Sequence, residues 1–145
     1  TWQLTGANAG KLGTNIVLGN CATLGGHVEV GDWVTLGGLA AVHQFCKIGA
    51  HAFVAGGSVI TRDVPPYVMV AGNPSEPHSI NAVGLERRGF TPEQIRNVKN
   101  AFRILYRSEL KLSDAVAQLT ELGKSQPEVQ AFVDFIARST RSLVR

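Results

Sequence analysis

A short parallel β-helix of triangular coils followed by a small helical bundle is the fold this sequence predicts, and three observations predict it. Aliphatic side chains recur every six residues without a gap, at Leu12, Leu18, Leu24, Val30, Leu36, Val42, Ile48, Val54 and Ile60. The next residue is small at Gly13, Gly19, Gly25, Gly31, Gly37, Gly49 and Ala55, and the position four beyond each aliphatic residue is compact or branched, from Ile16 through Ala40 to Val64. After Gly72-Asn73-Pro74 this period stops and apolar residues fall at helical spacing instead.

Six is neither a strand nor a helix period. It suits a coil with three flat sides, in which each six-residue unit supplies one short strand and one tight turn, and three units close one coil. The aliphatic positions then form an interior column, and backbone hydrogen bonds run from coil to coil as in a parallel sheet. Asn and Gly at the corners, as in Gly13-Thr14-Asn15 and Gly19-Asn20, suit the positive φ that corners require. Leu12 to Val64 makes about three coils, a short stack whose open edge must be paired, capped or covered. Residues 1–11 fit the repeat poorly and stand apart as a leader.

Pro65, Pro66 and the Gly72-Asn73-Pro74 turn mark a boundary. The expected organisation is a β-helix over 1–74 and a helical domain over 75–145. Thr91-Pro92-Glu93-Gln94 reads as an N-cap, a proline at the first helical position and a capping-box Gln, followed by Ile95, Val98, Phe102, Leu105 and Tyr106 on one face. Ser113 begins a second helix ending near Gly123, and Pro127 opens a third carrying Val129, Phe132 and Ile136.

Composition narrows the function. The 145-residue chain carries a net charge of +3. Its basic excess lies entirely in 75–145, where eleven Lys and Arg face eight Asp and Glu. That is too sparse for a nucleic-acid footprint and fits an acidic protein or a phosphorylated ligand. No stretch has the length of a membrane span, and a cytoplasmic location is expected. The two cysteines, Cys21 and Cys46, lack the number and spacing of a metal site or disulfide framework and are expected to be buried thiols.

Five strings lie on this framework: Ala22-Thr23-Leu24-Gly25-Gly26-His27-Val28, Ala41-Val42-His43-Gln44-Phe45-Cys46, Asp63-Val64-Pro65-Pro66-Tyr67-Val68, Gly84-Leu85-Glu86-Arg87-Arg88-Gly89-Phe90 and Ala137-Arg138-Ser139-Thr140-Arg141. With them the chain from about Leu12 to Arg145 closely resembles the C-terminal portion of the acyl-carrier-protein–UDP-N-acetylglucosamine O-acyltransferase family, hexapeptide-repeat enzymes that begin lipid A synthesis. The resemblance implies a left-handed coil, an exception to the right-handed rule for parallel crossovers. It also implies a homotrimer with substrates in clefts between neighbouring β-helices. The implied reaction moves a 3-hydroxyacyl group from acyl carrier protein to the 3-hydroxyl of UDP-N-acetylglucosamine, with a histidine as general base and neither metal nor cofactor.

Residue by residue, the resemblance places His27, His43 and Gln44 in the active cleft, His27 also as an auxiliary catalytic group, since an imidazole titrates near neutrality. His27 and His43 are spaced close to one coil and are expected near each other vertically. Asn81, Arg87 and Arg88 match positions that contact the uracil or diphosphate, for which guanidinium is well shaped. Val83 stands where the family often has a carboxylate, and Gly56 matches the position that measures acyl-chain length. Arg96, Lys99, Arg103 and Arg107 are candidates for receiving the acidic acyl carrier protein. His51 is expected on the coil surface, and neither it nor His78 receives a role.

Extending the match without gaps back from Leu12 puts Asn8 where the family has its catalytic histidine and Thr5 where it has a second site histidine. An amide is not basic near neutral pH, so Asn8 cannot take a proton as His does. Two classes of function therefore stand side by side: an acyltransferase, truncated or inactive forms included, and a non-catalytic β-helix trimer that binds a nucleotide sugar or co-assembles with a complete enzyme. A hexapeptide transferase using acetyl-CoA or acting on an amine ranks last, because the Arg-Arg-Gly-Phe element and helical ending belong to the family named.

Overall fold

The computed structural model describes residues 10–145 and the backbone of Gln3 and Leu4. The chain winds as a left-handed parallel β-helix of about three coils followed by helices. Its strands are β1 (Gln3–Leu4), β2 (Lys11–Leu12), β3 (Val17–Leu18), β4 (Thr23–Leu24), β5 (Glu29–Val30), β6 (Thr35–Leu36), β7 (Ala41–Val42), β8 (Lys47–Ile48), β9 (Phe53–Val54), β10 (Val59–Ile60), β11 (Val68–Gly72) and β12 (Ser75–Ile80). The helices are α1 (Ala82–Arg87), α2 (Pro92–Tyr106), α3 (Leu112–Gly123) and α4 (Pro127–Arg138). Every third strand stacks, giving sheets ordered β1-β4-β7-β10, β2-β5-β8 and β3-β6-β9-β11-β12.

The predicted column is the core. Leu24, Val30, Leu36, Val42, Ile48, Val54 and Ile60 are all buried, each worth about 1.5–3 kcal/mol of apolar burial. Among β2 to β10 each coil repeats after eighteen residues, so Lys11 lies opposite Glu29, Val17 opposite Thr35 and Thr23 opposite Ala41. Inter-coil bonds such as Thr23 N–H to Ala40 O at 2.8 Å and Gly25 N–H to Val42 O at 2.8 Å satisfy the backbone.

The corners follow the expected rule at Asn15 and depart from it at Gly13, Gly19 and Asn20. Positive φ falls on Asn15, Cys21, His27, Trp33, Leu39, Phe45, His51 and Gly57, once every six residues, whereas Gly13 and Gly19 are outside that region. Those glycines are there for closeness: a Cβ on Gly25 would sit 2.6 Å from the backbone nitrogen of Gln44, one coil on. The left-handed residue presents its side chain outward, which accounts for the exposed Trp33, Leu39 and Phe45. It also leaves Cys21 exposed, correcting the expectation that both thiols are buried. Cys46 is buried, and its thiol is pushed up to about 11 chiefly by loss of solvent, with Asp63 adding to the effect.

The first coil step is irregular. Gln3 lies opposite Thr23 and Leu4 opposite Leu24, a spacing of twenty residues instead of eighteen. The gapless extension that put Thr5 and Asn8 in family positions therefore differs by two residues from the backbone register at β1. Thr5 and Asn8 lie outside the described residues.

The upper end is closed by two devices. β11 stacks on β9, Met69 opposite Phe53, and β12 folds back antiparallel on β11, occupying the last edge of the third sheet. The sequence reading contains neither β12 nor the short α1. Over the other sides returns the C-terminal segment: Asp63 N–H donates to Ser142 O and Val144 N–H to Asp63 O. The buried Asp63 carboxylate accepts from the Lys47 N–H at 2.8 Å and from the Ser139 hydroxyl.

The helices form for the reasons expected. At α2 the Thr91 hydroxyl accepts the Gln94 N–H and the Gln94 side chain accepts the Thr91 N–H. Val98, Phe102 and Leu105 of α2, Leu119 of α3 and Phe132 of α4 are buried in a core continuous with that of the coils. Phe132 meets Tyr67 with ring centroids 5.4 Å apart, joining bundle to coil. Among the described residues no helix is long and apolar enough to cross a membrane.

Close coil stacking predicts unequal costs for two glycine substitutions. Gly31→Ala places a Cβ 2.6 Å from Ala50 N and is expected to cost about 2–3 kcal/mol. Gly89→Ala, at φ +86 in open space, should cost about 1 kcal/mol. Urea unfolding of both variants checks this, and a Gly31→Ala protein within a few tenths of a kcal/mol of the parent refutes it.

Candidate functional site

Three corners run up the triangular coil, and the predicted site residues divide among them. The turns 25–28 and 43–46 join the first sheet to the second and carry His27, His43 and Gln44, all exposed. In register, His27 lies over Phe45, not over His43. The two rings stack at 4.8 Å with their planes 4° apart. His43 stands over Gly25 and its Nδ1 lies 3.2 Å from Gln44 O. His27 and His43 thus share a corner, as the sequence expected, but the coil partner of His27 is an aromatic ring.

The turns 31–34 and 49–52 join the second sheet to the third, and against this corner packs α1. Asn81 is buried and makes the junction: its Oδ1 accepts the Gly84 N–H at 3.2 Å, capping α1, while its Nδ2 donates to His51 O at 3.1 Å. Its own N–H donates to Tyr67 O at 2.7 Å. Asn81 therefore fixes where α1 points, and α1 ends in Arg87 and Arg88. Between helix and coil lies a groove of about 420 Å³ lined by Asn15, Trp33, Phe53, Asn81, Arg87 and Arg88, with Val83 at its edge.

Arg88 is partly covered and Arg87 exposed. The Arg88 guanidinium lies 5.3 Å above the Trp33 ring, a cation–π contact, and its Nη1 lies 3.2 Å from His51 Nδ1. His51 is half-buried, stacked on Tyr67 at 5.8 Å and edge-on to Phe90 at 5.1 Å. Burial first, and then the Arg88 charge, hold its pKa below the ordinary 6.5, with Asp32 pulling weakly the other way. Sequence reasoning left His51 without a role and did not single out Trp33. The signal was present: Asn15, Trp33 and His51 are spaced by one coil and occupy the outward position of each turn.

Gly56 sits on the remaining corner, where a Cβ would come 3.1 Å from Gly38 O. Within one chain, then, the histidine corner, the arginine groove and Gly56 lie on three different edges. On the far side of β12, the outer surface of α2 borders a groove of about 570 Å³. Arg96, Lys99, Arg103, Arg107 and His78 line it around an apolar floor of Ile80 and Phe102. Among the described residues no cluster of His, Cys, Asp and Glu is arranged to hold a metal ion.

The profile of a family described as Udp N-acetylglucosamine O-acyltransferase, Domain 2, matches residues 63–144. An acyl-carrier-protein–UDP-N-acetylglucosamine O-acyltransferase from Alkalilimnicola ehrlichii is 49% identical over 135 residues, 93% of this chain and 52% of that protein. The solved UDP-N-acetylglucosamine acyltransferase of Francisella novicida superposes with a TM-score of 0.87 at 41% identity, over 90% of this chain and 48% of that one. The Campylobacter jejuni structure does so at 0.88 and 36% identity, over 98% and 56%. The chain spans about half the length of the curated relatives it matches.

Asn81→Ala removes both the α1 cap and the bond to His51 O, and is expected to cost about 1–2 kcal/mol. Asn81→Ser keeps a cap acceptor and loses the amide donor to His51 O, so its urea midpoint should fall between alanine and parent. Equal midpoints for all three proteins would remove Asn81 as the junction.

Proposed function

The chain belongs to the UDP-N-acetylglucosamine O-acyltransferase family, and from that premise we propose that it binds UDP-N-acetylglucosamine and takes part in moving a 3-hydroxyacyl group from acyl carrier protein to the sugar 3-hydroxyl. The observation that carries the reading is the convergence of Asn81, Arg87 and Arg88 on one groove beside Trp33. Two guanidiniums offer paired N–H donors to diphosphate oxygens, and the aromatic wall offers the nucleobase a flat apolar surface.

The histidine corner lies on another edge of the same coil. Assembly as a homotrimer, with the histidine corner of one copy facing the arginine groove of the next, unites the two; a stack this short also gains by covering its sides. In the chemical step the 3-hydroxyl oxygen bonds to the thioester carbonyl carbon and the C–S bond breaks. The hydroxyl proton passes to an imidazole, His27 being the candidate in this chain, and from it to the departing thiolate. His43 and Gln44 offer hydrogen bonds to the sugar, and Gly56 leaves room for the acyl chain. The basic α2 groove, with its apolar floor, suits an acidic carrier protein by charge attraction and contact.

Asn8 favours a second reading, in which the chain is a non-catalytic trimer that binds the nucleotide sugar or joins a complete enzyme. Under it the groove is retained and the proton acceptor is not.

Transfer from 3-hydroxyacyl acyl carrier protein to UDP-N-acetylglucosamine, followed with purified chain and with His27→Ala, separates the two. Turnover in the parent that His27→Ala abolishes supports the enzyme. Calorimetric binding of UDP-N-acetylglucosamine without turnover supports the second reading in its binding form, and neither binding nor turnover in folded protein sinks the enzyme and the nucleotide-sugar binder together, leaving co-assembly with a complete enzyme to be decided by co-purification. Arg87→Ala and Arg88→Ala should each weaken nucleotide-sugar binding by about tenfold.

A further inference from the structure

His51 touches Arg88 at the wall of the arginine groove, and nothing in the reaction described above uses it. We propose that His51 is a positioning residue, whose imidazole accepts a hydrogen bond from Arg88 and so holds that guanidinium over Trp33 and at the wall of the groove. The proposal rests on the nucleotide-sugar reading for its purpose, since a fixed Arg88 meets a diphosphate without first having to be ordered.

Arginine has only donors, so a contact of 3.2 Å between its Nη1 and His51 Nδ1 requires that Nδ1 be unprotonated and that the ring proton sit on Nε2. The ring has little freedom to do otherwise. Tyr67 stacks on one side with planes 15° apart, and Phe90 closes another side nearly at right angles. The backbone is pinned as well: His51 N–H donates to Asp32 O at 2.9 Å and its carbonyl accepts from Asn81. Arg88 in turn lies between this ring and Trp33, and the same surroundings lower its own pKa through burial.

The groups facing His51 are Arg88 from the end of α1, Asp32 from the turn one coil below and the Tyr67 hydroxyl from the segment above. Tyr67 is pushed up to about 12 by burial and is neutral. The Asp32 carboxylate is committed in part to Thr14, whose N–H it accepts at 2.8 Å. The nearest full charge is therefore the guanidinium, which opposes protonation of the ring.

Protonation would turn Nδ1 from acceptor to donor and set two cations against each other. The direction follows from the depressed pKa. The contact is present at neutral and higher pH and is lost as pH falls below the ordinary histidine value of 6.5. UDP-N-acetylglucosamine carries a diphosphate diester that does not titrate in this range, so ligand ionisation does not imitate the effect.

Trp33 reports the contact without any ligand. In a Trp2→Phe background, which leaves Trp33 as the single tryptophan, its emission is expected to change on acidification with a midpoint below 6.5. The change should vanish in His51→Gln, whose carbonyl accepts from Arg88 but does not titrate, and in Arg88→Ala. At pH 8 His51→Leu should bind UDP-N-acetylglucosamine about five- to tenfold more weakly than the parent, while His51→Gln stays within about twofold; circular dichroism checks that each variant is folded. An emission change that survives in His51→Gln, no change in the parent, or undiminished affinity in folded His51→Leu would each overturn the proposal. A parent that binds no nucleotide sugar at any pH defeats the nucleotide reading alone, and the emission titration still decides whether His51 holds Arg88.

Discussion

Each coil of this protein lies on the one before it at backbone hydrogen-bonding distance, and that contact constrains everything else in the chain. Coils at this spacing leave no room for a Cβ immediately after the buried aliphatic residue, which is why glycine recurs there. Where Gly31 approaches Ala50 N, or Gly49 approaches Pro66 N, a single added carbon would overlap the neighbouring backbone. The same geometry puts one residue of each turn from Asn15 to Gly57 into left-handed φ and turns its side chain outward. An interior of branched aliphatics and an exterior ladder of corner side chains thus follow from one constraint.

That ladder is where chemistry becomes available. Corner residues one coil apart meet at roughly the spacing of stacked rings, as His27 does with Phe45 and His51 with Tyr67. A histidine in this position is held at its ring face, and its nitrogens remain free for what lies beside the coil. At one corner His27, His43 and Gln44 stay exposed among the described residues. At the next, α1 covers the ladder, and His51 becomes a partly desolvated acceptor for Arg88. Similar backbone geometry leaves one corner histidine exposed and another partly buried because of what docks against the coil.

Docking depends on how the coil ends. A coil step shortened between Ile60 and Val64 lets β11 continue the third sheet, and β12 turns back to close its edge, bringing the chain to Asn81. There one amide side chain both caps α1 and ties it to the corner. Tyr67 and Phe132 join the bundle to the coil, and the C-terminal segment returns to Asp63 beside the turn that carries His43. The helices accordingly do more than cover an end: they set the arginines of the groove and line the basic surface on the other side of β12.

The sequence by itself determined a stack of three-sided coils, because a gapless six-residue aliphatic period fits neither a helix nor a flat strand, while the hand of the coil was implied by the family resemblance; the turn chemistry of Thr91 to Gln94 is local enough to specify the start of α2. It also supplied the family strings and hence the candidates His27, His43, Gln44, Asn81, Arg87 and Arg88. Tertiary structure decided how those candidates are grouped. Asn81, Arg87 and Arg88 converge because α1 docks on one corner, and Gly56 and the histidine pair fall on the other two because each corner is separated by a strand. His51 and Trp33 entered the site for the same reason: their outward positions are periodic in the sequence, but whether such a side chain meets water or a guanidinium depends on a helix that begins only at Ala82. β12 was hidden because its pairing with β11 is a long-range edge contact in a segment of mixed polarity, Ser75 to Ile80, with no period of its own.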